Sequence, residues 1–150
     1  MNTVMIAETS IVIAADREKV WKAITQPKYI NDWFNTTAKS GEETVMWHFD
    51  QLEAQAPMRF TWEGGSGEGT IALVEPFDRF AFYWQSDPNH DLQSLVTFTL
   101  ETVTEGTRLT VSEQGFEGLP EEIRQNRYEM NAEGWRIQAK SVAAYVMEKL

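Results

Sequence analysis

Apolar and polar positions change their period three times along the chain. Val4 to Ala14 is rich in β-branched residues and predicts a strand, although its alternation is imperfect. A three- and four-residue spacing follows at Val20, Trp21 and Ile24, the apolar stripe of a short helix. Asp16 stands where its carboxylate accepts a free amide of the first turn. Thr25-Gln26-Pro27 ends this helix, because proline disfavours the helical conformation in the residue before it. Pro27 itself suits the first position of a second helix, running to about Trp33-Phe34.

From about Thr44 to Gln114 the period is two. Val45, Trp47 and Phe49 alternate with Met46, His48 and Asp50; Met58, Phe60 and Trp62 alternate with Arg59, Thr61 and Glu63. Phe80, Phe82 and Trp84 repeat the pattern, as do Val96, Phe98 and Leu100, then Leu109 and Val111. This is the signature of antiparallel strands with one buried and one wetter face. Glycine-rich or proline-containing turns separate them at 64–69, 75–78 and 105–106. Six strands here and one at the start make seven, in a meander.

Helical spacing returns after Pro120. Pro120 to Ile123 predicts a short capped turn, and a long helix from about Tyr128 to Leu150 carries the stripe Trp135, Ala139, Val142, Val146 and Leu150. Gly134 inside it costs about 1 kcal/mol relative to Ala. It marks either the helix's true start or a close approach by another backbone. The apolar sheet face and the apolar helix stripe must cover each other, so the expectation is one α+β domain over 1–150.

Four segments resemble the START-related helix-grip superfamily that includes polyketide cyclases, and within it the family of the activator of the heat-shock-protein-90 ATPase. They are Ile11 to Pro27 ending in Asp32-Trp33-Phe34, Glu75 to Trp84, Val96 to Val111 with Gly115-Phe116, and Gly134-Trp135. The resemblance implies a curved seven-stranded antiparallel sheet wrapped around a long C-terminal helix, with two short helices after the first strand. It also implies a cavity between sheet and helix that holds an apolar or aromatic ligand. On that reading the lining is Trp33, Trp47, Phe49, Phe60, Trp62, Phe82, Trp84 and Phe98, opposite Met130 and Trp135. The bland alternative is that these rings are simply a bulky core. Two further roles follow from the resemblance: an accessory to a chaperone in the stress response, and a cyclase- or dehydratase-like enzyme using the same cavity. The first reading is non-enzymatic, with no cofactor and no catalytic residue named.

Magnitudes sharpen the choice. Ligand pockets begin at about 300 Å³, and a rigid dry void of that size costs about 7 kcal/mol. That rivals a whole domain's stability of about 5–15 kcal/mol. Either side chains fill the gap or something apolar binds there.

Composition trims the alternatives. The 150 residues carry 13 Lys plus Arg against 23 Asp plus Glu, a net charge of −10. That opposes a nucleic-acid partner, which needs clustered basic surface. There is no cysteine, so disulfides and thiolate metal sites are excluded. The N-terminus lacks a signal-peptide pattern, and no apolar run reaches the roughly 20 residues of a spanning helix, so a cytoplasmic chain without membrane insertion is expected. His48 falls opposite the aromatic row and His90 in a polar loop, and neither has a second histidine at ligand spacing, so no metal is expected. Gly64 to Gly69 is followed by a strand rather than a helix, which predicts a flexible hairpin and not a phosphate loop. The acids Glu42, Glu43, Glu101, Glu113, Glu117, Glu121 and Glu122 are expected on a solvated surface. A monomer or a homodimer through an exposed strand edge suits the pattern equally.

Overall fold

The computed structural model describes residues 5–35, 44–85 and 92–150. His90 and the pair Glu42-Glu43 lie outside them. The element order is β1 (Ile6–Ile13), α1 (Arg17–Thr25), α2 (Pro27–Phe34), β2 (Met46–His48), β3 (Pro57–Trp62), β4 (Gly65–Glu75), β5 (Arg79–Gln85), β6 (Gln93–Val103), β7 (Gly106–Gln114) and α3 (Glu121–Lys149). The seven strands form one antiparallel sheet in the order β1-β7-β6-β5-β4-β3-β2. This is the α+β helix-grip architecture: a seven-stranded curved sheet around a long C-terminal helix.

Local chemistry sets the boundaries. Asp16 caps α1, its carboxylate accepting the Lys19 amide at 2.9 Å, and Pro27 opens α2. Proline at that position lacks only an amide that would go unbonded in a first turn anyway. α3 is one continuous 29-residue helix from Glu121, not a short turn followed by a later start. Gly134 sits in its middle with open space where a Cβ would be. No backbone approaches there, so tertiary packing of the helix absorbs the glycine's poor propensity.

Residues 64–69 are not a flexible loop. Only Glu63-Gly64 turns; Gly65, Gly67 and Gly69 are strand residues paired with Trp62, Phe60 and Met58. The reason is steric. A Cβ on Gly69 would lie 2.3 Å from the Tyr83 carbonyl and 2.9 Å from the Phe60 ring, and one on Gly65 would lie 2.7 Å from the Trp62 indole. Alternate glycines leave room on the inner face of β4 for rings from β3.

The inward row is nearly all apolar: Trp47, Phe60, Ile71, Phe80, Phe82, Val96, Phe98, Leu109 and Val111, met by Val20, Ile24, Ile30 and Trp33 from α1 and α2 and by Trp135, Val142, Tyr145 and Val146 from α3. A second cluster, Ala7, Phe116 and Leu119, closes the end where α3 begins.

The β2 edge is sealed in an unusual way. Asn31 accepts the Trp47 amide at 2.7 Å and donates to its carbonyl at 3.1 Å, and Asn35 does the same for Val45 at 3.0 Å each way. Two asparagines one helical turn apart thus stand in for a neighbouring strand and blunt the edge. Asn31→Ala is expected to lower stability by about 1–3 kcal/mol. Urea denaturation measures this, and a change within error would show that the amide pair is idle.

Tyr145 of α3 donates to the Asp32 carboxylate of α2 at 2.9 Å. Burial first, then the bond to Asp32, pushes the phenol up to about 12 from 10. Its neutral form is therefore favoured by folding. Stability from this group is complete below pH 10 and is lost between pH 10 and about 12, where the unfolded chain alone releases the proton. Tyr145→Phe should flatten the stability-versus-pH curve across that window; an unchanged slope would refute it.

Candidate functional site

The inner rows of β3, β4 and β5 and the first half of α3 do not close completely. Between them lies a half-enclosed cleft of about 330 Å³, walled by Phe34, Val45, Phe60, Trp62, Gly67 and Trp84, with Glu68, Gln85, Arg127 and Asn131 beside them. The glycine row explains it: Gly67 presents no side chain where the alternation of a strand would place one. A smaller cavity of about 180 Å³ adjoins it and shares Phe34, Trp84 and Asn131, adding Met130, Gly134, Trp135 and Gln138. Gly134 again supplies room by lacking a side chain. A dry, rigid void of 330 Å³ would cost about 8 kcal/mol; the cleft avoids that by opening to solvent, as its smaller neighbour does.

The wall is held by an acid. Glu113 is fully buried, and its two oxygens accept four hydrogen bonds. Oε1 takes Asn131 Nδ2 at 3.0 Å and Trp135 Nε1 at 2.9 Å; Oε2 takes Trp84 Nε1 at 2.7 Å and the Ser94 hydroxyl. One carboxylate on β7 therefore ties β5, β6 and α3 together. It also holds the Trp84 and Trp135 rings 5.5 Å apart and only 31° from parallel. This corrects the expectation of a solvated Glu113. Four donors supply what water would have given, which is the condition for burying a charge-bearing group. A carboxylate offers about four acceptor positions, and all are occupied, so Glu113 positions rings and has none left for a substrate.

Of the ten aromatic and methionine positions singled out from the sequence, Phe60, Trp62, Trp84, Met130 and Trp135 line the two cavities. Met130 is 54% exposed and stands at the rim. Trp33, Trp47, Phe82 and Phe98 are packed beneath at 0–1% exposure, Trp47 touching Phe34, Phe60, Phe82 and Trp84 with ring centroids 5.1–5.9 Å apart. Phe49 faces a separate polar groove of about 690 Å³ with His48, Arg59 and Gln93. His48 points out of the sheet to the Thr61 hydroxyl at 2.9 Å. Sequence reasoning missed Phe34, Arg127, Asn131, Gln138 and Glu113. Glu113 had a signal, since Leu109, Val111 and Glu113 share one face of β7.

Comparison with known proteins gives a family and a fold. Residues 14–147 match the model of the family described as Activator of Hsp90 ATPase homolog 1-like protein. Among solved structures, the protein MLL2253 from Mesorhizobium loti is 23% identical, superposes with a TM-score of 0.76, and the match covers 97% of this chain and 98% of that one. The protein NE0264 from Nitrosomonas europaea is 16% identical with a TM-score of 0.76, over 97% and 96% of the two chains. DynU16, a protein of the dynemicin biosynthetic locus, is 23% identical with a TM-score of 0.72; the match covers 96% of this chain but 48% of DynU16. At these identities the likeness is one of fold. No curated protein matches significantly.

Proposed function

This chain belongs to the Activator of Hsp90 ATPase homolog 1-like family, and from the shape of its cleft we propose that it binds a small apolar or aromatic molecule between the sheet and the first half of α3. The carrying observation is the cleft itself: about 330 Å³, at the size where ligand pockets begin, with four aromatic walls and a few polar groups at its side. Phe34, Trp62 and Trp84 are only half-buried without a ligand. Covering such apolar surface returns about 25 cal/mol per Å². Glu113 makes the walls rigid, which lowers the ordering cost of binding.

A panel of fatty acids, indoles, naphthols and larger aromatic molecules tests this by thermal unfolding. A ligand at a hundred times its Kd adds about 2.7 kcal/mol, which raises Tm by about 5–10 °C in a chain of this length. No shift from any member would overturn the proposal. The chaperone-accessory role named in the family's description is the second reading, and stimulation of a chaperone ATPase by the purified chain is its test. No helix among the described residues is long and apolar enough to cross a membrane.

A further inference from the structure

Two polar groups of the cleft wall are bound behind it: Trp84 Nε1 and Asn131 Nδ2 both donate to Glu113, at 2.7 and 3.0 Å. Toward the opening the wall is mostly ring surface, with a basic side chain beside it. Arg127 lines the cleft four residues before Asn131, on the same face of α3, and is half-buried there. It stands about 6 Å further along the helix than the residue bound to Glu113. The acid of the same lining is directed elsewhere. Glu68 faces Arg59 in the register of β3 and β4, and both alternate with inward residues, so their side chains share the outer face.

A guanidinium carries five N–H donors in a planar fork that matches the two oxygens of a carboxylate, so it can grip one and keep a further contact. Resting on the binding reading above, we infer that the ligand is an aromatic carboxylate, its rings against Phe34, Trp62 and Trp84 and its anionic end on the Arg127 guanidinium. Arg127 is then the specificity-determining residue of the cleft. Apolar walls strengthen such a pair, because they replace part of the water that screens exposed charges. The chain's net charge of −10 repels anions in general. A preference for a charged molecule over a neutral one of equal shape therefore requires a local cation.

2-Naphthoate and 2-naphthamide separate charge from shape, being nearly the same size while only the first is an anion at neutral pH. Titrations of the full chain followed by two-dimensional NMR give both affinities, and the Trp62 and Trp84 indole resonances report whether each probe sits in the cleft. Naphthoate is expected to bind about tenfold more tightly than naphthamide. In Arg127→Gln the ratio should fall to about one, whatever happens to either affinity alone. If that variant fails to fold, salt decides on the wild-type chain: at about 1 M, where the Debye length is about 3 Å, naphthoate should weaken and naphthamide should not. Equal wild-type affinities, or a preference that survives Arg127→Gln, would overturn the inference and leave apolar binding standing. If neither probe moves the Trp62 or Trp84 resonance at millimolar concentration, the inference also falls, and the neutral members of the thermal panel judge the binding reading by themselves.

Discussion

Glu113→Gln is expected to lower the stability of the protein by about 2–6 kcal/mol. The amide keeps the size of the carboxylate but replaces one acceptor oxygen with an NH₂ group. That group would meet two of the four donors now bound, Asn131 and Trp135 or Trp84 and Ser94. Each buried donor left without an acceptor costs about 1–3 kcal/mol. Because Glu113 joins β7 to β5, β6 and α3, the loss should also loosen the Trp84–Trp135 pair and weaken probe binding. Urea denaturation of the two proteins at neutral pH measures it. A difference below about 1 kcal/mol would mean that the four bonds are replaceable by water and the acid is not the tie described.

The second large effect is on binding alone. Gly67→Leu should reduce the affinity for an aromatic probe by more than about tenfold while leaving the chain folded, since the loss of one well-buried ring contact suffices for about 1.4 kcal/mol. A Cβ on Gly67 would lie 3.2 Å from Gln85 Oε1 and 3.3 Å from the Trp62 ring, so both side chains must give a little, and both are half-buried and able to do so. Beyond the Cβ, the leucine enters the cleft. The strand tolerates it, because glycine is itself a poor strand residue. Gly69 does not offer the same experiment: its Cβ would meet the Tyr83 backbone, which cannot move aside. Probe affinity unchanged in a folded Gly67→Leu protein would place binding somewhere other than this cleft.

The frame of the molecule was legible because it rests on local chemistry. Asp16 and Pro27 announce their helix ends, and the period-two rows of β3, β5 and β6 follow directly from alternation. The glycine row was misread as a turn because a glycine signals backbone freedom and close packing with the same letter. Only the rings of Phe60 and Trp62 decide which applies, and they come from another strand. Glu113 lay on the inward face by parity with Leu109 and Val111, but an acid there is acceptable only with donors from β5, β6 and α3, which no local pattern brings together. Phe34, Arg127, Asn131 and Gln138 were missed for the same reason: the cleft is assembled from α2, β3, β4, β5 and α3, far apart in sequence.

Six tryptophans distributed through the structure offer the most direct reading of where a guest molecule sits. Each indole N–H gives its own NMR resonance, so titrating the ¹⁵N-labelled protein with an aromatic ligand from the thermal panel reports on all of them together. The expected result is that Trp62, Trp84 and Trp135 shift with a common saturation curve, while Trp21, packed against Phe77 and lining neither the cleft nor its smaller neighbour, stays still. Saturation that moves Trp21 and leaves Trp62 and Trp84 in place would contradict the cleft as the binding site.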